Sequence, residues 1–321
     1  MEIYMKRFAL ILVSALLALS LVACASANGG EEESSASVSD YMQASHEHKI
    51  YSEPDENGNT TLIGTLTFED GKGDTAIISD YIGTYDLHSI EIPAKVGTKD
   101  AERIVIGIGK EAFYYCTSLT AVVIPEGVTY IGDYAFAGCT GLTSVIIPAS
   151  VETIGKGAFT GCSALTEVLI ADGSALTSIG DYAFNDCSAL TDIALPEGLV
   201  SIGKEAFRDC SALASVNTPS TLKTIGDMAF YNCEGLNAPA ALTLTAGIEE
   251  IGEYAFAGIN KNYISAPEGS YAAQYVANMR DDGEINEESS TVESSEEATE
   301  ESSEETSEES TEETSEESTE K

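Results

Sequence analysis

The sequence predicts a solenoid, a stack of near-identical coils with a parallel β-sheet along one face. Three observations predict it. A twelve-residue motif returns seven times at almost constant spacing. Each copy but the last leads into a short period-two segment, usually closed by proline. The apolar content of 43% is high enough to fill a core, so the chain as a whole is not disordered.

The motif reads Ile-Gly-x-x-Ala-Phe-x-x-Cys-x-x-Leu and begins at Ile108, Ile131, Ile154, Ile179, Ile202, Ile225 and Ile251. Its phenylalanines, Phe113, Phe136, Phe159, Phe184, Phe207, Phe230 and Phe256, are spaced by 23, 23, 25, 23, 23 and 26 residues. A fixed period in this range is the mark of a repeat architecture, in which one coil cannot bury its own apolar side and stacking supplies the stability. The Phe residues are expected to form a continuous aromatic column. The Gly after each Ile implies either positive φ or close approach of one coil to the next. The Ala before each Phe implies that nothing larger fits.

Each motif continues Leu-x-x-Val-x-Ile-Pro, as in Leu119/Val122/Ile124/Pro125 and Leu142/Val145/Ile147/Pro148. Alternating β-branched residues ended by proline indicate a short strand. An earlier copy of this half lies at Leu87/Ile90/Ile92/Pro93, and the nine-residue excess before Ile108 predicts a surface loop near Ala94–Arg103. Leu, Val and Ile face inward on each strand, so the residues between them face out. One outward row is Glu91, Val123, Ile146, Leu169, Ala194 and Asn217, apolar in its middle. The neighbouring rows are small or polar: Ser89, Ala121, Ser144, Glu167, Asp192 and Ser215 in one, and Thr120, Thr143, Thr166 and Thr191 in the other. Exposed apolar patches mark interfaces, so the candidate binding face comprises Val123, Ile146, Leu169 and Ala194, rimmed by Glu167 and Asp192.

These units resemble BspA-type leucine-rich repeats, found in bacterial surface proteins and in some protozoan ones. The resemblance runs from about Asp80 to Met279. It implies a leucine-rich-repeat solenoid, with adhesion or host and matrix contact as the role of some members. The stretch Ile63–Ile82 resembles the short strands that precede such arrays. The segment 266–270 followed by Tyr271–Asn278 resembles a terminal capping helix, with Ser270 as its N-cap. The position that carries Asn or Cys in the standard repeat is here Gly127, Ser150, Gly198 or Thr221, so no asparagine ladder is expected.

Cys116, Cys139, Cys162, Cys187, Cys210 and Cys233 share one phase of the repeat. Equivalent positions on stacked coils hold their Cβ vectors parallel, whereas a disulfide needs them converging near ~3.8 Å. Ile259 fills the same slot in the seventh copy, which fits a core position where a free thiol acts as a small hydrophobe. Each motif is Cys-x-x-Leu and never Cys-x-x-Cys, so no metal site is expected.

At the N-terminus, Lys6 and Arg7 precede an apolar run from Phe8 to Ala23, short for a spanning helix of ~20 residues but suited to a secretory signal. It ends Leu21-Val22-Ala23-Cys24, which resembles a bacterial lipobox and makes Cys24 the lipid attachment site. The expected organisation is a signal peptide over 1–23, a flexible tether over 24–45, the solenoid with its N-terminal strands and cap over 46–280, and a disordered Glu/Ser/Thr-rich tail over 281–321. That tail holds 19 acids and one base, and its four-residue period places like charges at i and i+4, which opposes a helix.

The net charge of −39 excludes a nucleic-acid binder and docking on anionic lipid through a basic patch, leaving the lipid anchor as the membrane contact. With no Trp and three His, histidine chemistry has little material. His46-Glu47-His48 reads as solvated tether, and Asp133 and Asp181 as solvent-facing decoration. Tyr114, Tyr115, Tyr134, Tyr182, Tyr231 and Tyr254 read as turn residues, with sugar stacking as the sharper alternative. The expectation is therefore a monomeric, non-enzymatic surface lipoprotein, without cofactor, that binds an unidentified protein or glycan through its sheet face. The alternative is a carbohydrate-binding or structural envelope lipoprotein.

Overall fold

The computed structural model describes residues 46–51, 60, 62–83, 88–98, 101–282 and 284. Cys24, the signal segment, the tether and the Glu/Ser/Thr repeats of the tail lie outside the described residues.

The chain enters through an antiparallel meander of β1 (Glu47–Tyr51), β2 (Leu62–Asp70) and β3 (Thr75–Gly83). Period-two alternation builds it: Leu66, Phe68, Ala76 and Ile78 are buried while Glu69 and Asp80 face out. β2 and β3, nine residues each, are the longest strands described, so the N-terminal strands are not the short ones expected. His46-Glu47-His48 is not solvated tether: Glu47 and His48 pair with Thr67 and Leu66, and His46 Nε2 lies 3.4 Å from the Asp70 carboxylate.

The first short repeat strand is β4 (Ser89–Glu91). The segment expected as a loop near Ala94–Arg103 instead forms two strands, β5 (Lys95–Thr98) antiparallel to β6 (Ala101–Ile108). The nine-residue excess is used up by this strand pair: Lys95 and Glu102 pair across the strands, while Val96 and Val105 are buried. β6 also lies parallel to β3, which joins the meander to the first coil.

From there the coils stack in register, and the repeat builds sheet on two sides rather than one. Ile108 ends β6, and the Ile of each later motif, with the residue before it, forms a two-residue strand. Six of these, from Tyr130–Ile131 to Glu250–Ile251, continue β6 as a parallel ladder and extend the meander sheet to eleven strands. Two residues carry too little alternation to be read as a strand. The second sheet contains β4, Ala121–Val123, Ser144–Ile147, Glu167–Ile170 and Asp192–Ile193, all parallel. An isolated bridge, Asp192 to Ser215, leads on to a third, three-stranded sheet. The break falls at Ala194 and Asn217, the poorest strand formers in their row.

The seven Phe side chains are fully buried and stand in one file between the sheets. Successive rings from Phe113 to Phe230 are 5.0–5.3 Å apart and within 8° of parallel. Tyr81 of β3 lies against Phe113 at one end. At the other, Tyr275 of helix α1 (Tyr271–Asn278) meets Phe256 edge-on and donates to the Gly252 carbonyl. Ser270 caps that helix by accepting from the Ala273 N–H at 3.1 Å, as its sequence predicts. Aromatic contacts of this kind contribute about 0.5–1.5 kcal/mol each beyond the area they bury.

Backbone geometry explains the glycines. None of the glycines that follow Ile has positive φ. They are places of close approach: a Cβ on Gly180 would sit 2.7 Å from the backbone carbon of Gly155, and one on Gly226 2.5 Å from the Lys204 nitrogen. The left-handed residues lie two before and two after each Phe, as at Tyr134, Tyr182, Asp186 and Asn232, with φ of 56–59°. They let alternate N–H groups point along the stack. Tyr134, Phe136 and Gly138 donate to the carbonyls of Lys156, Ala158 and Thr160 on the next coil, while Ala135 and Ala137 close local turns. Asp133, Asp181 and Asp227 are not decoration either. Each accepts, through Oδ1, the backbone N–H of the following coil's Lys156, Lys204 or Glu253.

Candidate functional site

The broader sheet positions the expected face, because parallel register turns each repeat position into a row. Ser89, Ala121, Ser144, Glu167 and Asp192 are aligned across five strands. Glu91, Val123, Ile146 and Leu169 form the next outward row across four. Val123 is 43% exposed, Ile146 and Leu169 are half-buried, and the inward residues Val122, Val145 and Val168 are at most 5% exposed. Ala194 is exposed but lies one residue beyond its strand, so it ends the row rather than joining the ladder.

The threonine row beside this face is built differently from its reading as outward polar residues. Thr120 donates its hydroxyl to the His88 carbonyl at 2.6 Å, and Thr143, Thr166 and Thr191 each donate to the threonine one coil back at 3.0–3.1 Å. This threonine ladder satisfies coil-end carbonyls in an array without an asparagine ladder. The recurrence of Thr in four successive copies was its sequence signal. Among the described residues, no buried side-chain nitrogen or oxygen lacks a partner.

Electrostatically the face is one-sided. Its strands hold Glu91, Glu167 and Asp192 and no Lys or Arg. Asp192 accepts a hydrogen bond from Ser215 at 3.4 Å, while Glu167 has no ion pair among the described residues.

The tyrosines divide. Tyr134 and Tyr182 are half-buried turn residues; the Tyr134 ring covers Gly157, and Lys156 Nζ lies 5.5 Å from the centre of the Tyr182 ring. Tyr114 and Tyr115 stand out at 51% and 60% exposure, edge to face at 4.5 Å.

The six repeat cysteines, the cysteines among the described residues, are free thiols, five of them buried. Each buried Sγ donates to the Phe carbonyl of the preceding coil at 3.0–3.2 Å, from Cys139 to Phe113 through Cys233 to Phe207. Burial pushes the Cys162 thiol up to about 12, and the half-buried Cys116 thiol, with the Asp80 carboxylate adding to burial, to about 11. Such thiols stay protonated at neutral pH and are poor nucleophiles and ligands. No group of three His, Cys, Asp or Glu among the described residues is arranged to hold a metal ion.

Stacked parallel coils, an inner file of aromatic rings and a solvent-facing sheet define a parallel β-solenoid of the leucine-rich-repeat class. Residues 106–237 match the family model described as BspA type leucine rich repeat region, in six copies. Among solved structures, the chain is similar to a leucine rich cell surface protein from Faecalibacterium prausnitzii A2-165. The two are 30% identical over 63% of this chain and 52% of that one, with a TM-score of 0.52. The chain is also similar to a leucine-rich repeat protein from Eubacterium ventriosum, at 24% identity over 69% and 51% of the two chains and a TM-score of 0.48. The T. pallidum leucine rich repeat protein is 23% identical over 69% and 97%, with a TM-score of 0.43. This chain therefore spans about half the length of the Faecalibacterium protein. No curated protein matches it.

Proposed function

We propose that the protein is a non-enzymatic recognition lipoprotein, exported, held at the outer face of a bacterial cell membrane through Cys24, and binding a protein partner on the broader sheet. The observation that carries this reading is the apolar row Val123, Ile146, Leu169 on a solvent-facing parallel sheet. The repeat type, and the cell-surface naming of the Faecalibacterium protein, support a protein-interaction or recognition role at the surface. No helix among the described residues is long and apolar enough to cross a membrane, which is compatible with lipid anchoring. A thiol ladder in place of a reactive cysteine, and charged side chains spent on coil-to-coil bonds, support a scaffold rather than a catalyst.

Two measurements test it. Replacing Cys24 with Ala should release the protein from the membrane fraction; retention there would remove the anchor. Pull-downs with the mature chain, the chain lacking residues 281–321 and the Ile146→Glu chain should recover one partner with the first two and lose it with the third. Recovery that depends on the tail and ignores Ile146 would replace sheet recognition by charge capture. A glycan reading rests on the exposed Tyr114–Tyr115 pair alone. It predicts glycan-array binding that Tyr114→Ala abolishes, and an array without binding ends it.

A further inference from the structure

Resting on the reading of the broader sheet as the binding face, we propose that its partner is a basic protein segment. That segment lies extended across the coils, with an apolar side chain between two cationic ones about four residues apart. The argument is the distribution of charge. Elsewhere, most described cations sit beside acids, as Lys95 with Glu102, Arg103 with Asp70, Arg208 with Glu205 and Asp209, and Lys223 with Glu249. Among the described residues, acids without an ion pair also occur off the face, as at Glu126, Glu152 and Glu250, but on the face they bracket an apolar row. Glu91 lies at one end of the apolar row, Glu167 and Asp192 flank the other, and the strands between supply no Lys or Arg to answer them. The face is an apolar strip with an uncompensated acid at each end.

The register sets the spacing. Glu91 and Glu167 stand on strands three steps apart, which at about 4.8 Å per step is roughly 14 Å. An extended chain rises about 3.3 Å per residue, so cations about four residues apart reach both acids while an apolar side chain between them meets Val123 and Ile146. The acidic tail, with 19 acids and one base over residues 281–321, carries the wrong sign to occupy this face. A net charge of −39 also draws cationic partners in from solution, a contribution that salt weakens.

The test is selection on the full chain from a displayed library of random twelve-residue peptides, counter-selected on full chain carrying Glu167→Lys and Asp192→Lys. Counter-selection removes peptides captured by the tail, which is unchanged in that variant. Enriched peptides should carry two Lys or Arg about four residues apart around an apolar residue. Their affinity should fall tenfold or more in a Glu167→Gln/Asp192→Asn chain and in an Ile146→Ser chain, and should fall as salt rises. All these positions are exposed or half-buried on the surface, and circular dichroism checks that the variants stay folded. Enriched peptides that need Ile146 but are neutral or acidic overturn this inference and leave the binding face standing. Peptides indifferent to Ile146 and to both acids, or no enrichment at all, overturn it together with that face.

Discussion

The two sides of the solenoid obey different rules. The narrow ladder of two-residue strands, each ending on the Ile of its motif, runs unbroken from β6 to Glu250–Ile251. The broader side is four residues wide at Ser144 and Glu167, narrows to two at Asp192, and breaks into a separate sheet beyond it. On the narrow side a methyl group too many meets the backbone of the neighbouring coil. On the broad side Val, Ile, Leu, Ala and Asn succeed one another at one position. Where coils touch, the sequence is uniform; where they face solvent, it varies. The variable side is therefore the one free to be shaped by a partner.

Breaking the common interior should have the largest effect. Phe184→Ala opens a gap in the middle of the ring file and should cost about 3–5 kcal/mol, read as a lowered urea midpoint. A loss near 0.5 kcal/mol would mean that the column is not a packing element. Next is Gly203→Ala, whose added methyl would lie 2.5 Å from the Asp181 nitrogen. The coils must then part, at about 1–3 kcal/mol, and a stabilised variant would show that the contact is loose.

Alkali acts on the same interior, and for each thiol taken singly the effect is smaller. Buried thiols have folded pKa values above the ordinary 9.0, so the native state holds protons that the unfolded chain releases. Their contribution is complete below pH 9 and is lost as pH rises toward the folded value of about 12 for Cys162. Within that window each buried thiol should lower stability by up to ~1.4 kcal/mol per pH unit, and Cys162→Ala should flatten the slope. Midpoints independent of pH from 8 to 11 would contradict it. The smallest effect is expected on the broad side. Ile146→Glu should change stability by less than about 0.5–1 kcal/mol because Ile146 is only half-buried, so a large loss would identify it as core instead.

Much of this was legible because the repeat states each rule seven times. Seven phenylalanines in phase foretell the ring file, and Ser270 before Tyr271 foretells the helix cap. The two-residue strands were not legible, since two residues carry no alternation. Nor was the pairing of β5 with β6, because an excess over the repeat length reads as a loop and does not reveal that Val96 and Val105 are buried. The roles of Thr143 and Asp133 depend on which carbonyl or N–H the next coil brings alongside, and no local pattern encodes that. The candidate face was legible as a row of outward positions, but its early end at Ala194 was not, because bridging depends on both neighbours.

The residue that follows the Ile-Gly pair alternates through the first six motifs, Lys110, Asp133, Lys156, Asp181, Lys204 and Asp227, and Glu253 ends the alternation in the seventh. An aspartate in one coil reaches the amide of the next, so this contact repeats with every second coil. Excising residues 133–180 would rejoin Gly132 to Asp181 and keep the alternation. Excising 133–155 alone would set Lys156 after Lys110 and take away its carboxylate acceptor. If arrays of this kind lengthen and shorten in even steps, the paired excision should melt as one cooperative unit at a midpoint above that of the single one. The reverse order would show that each coil is copied on its own.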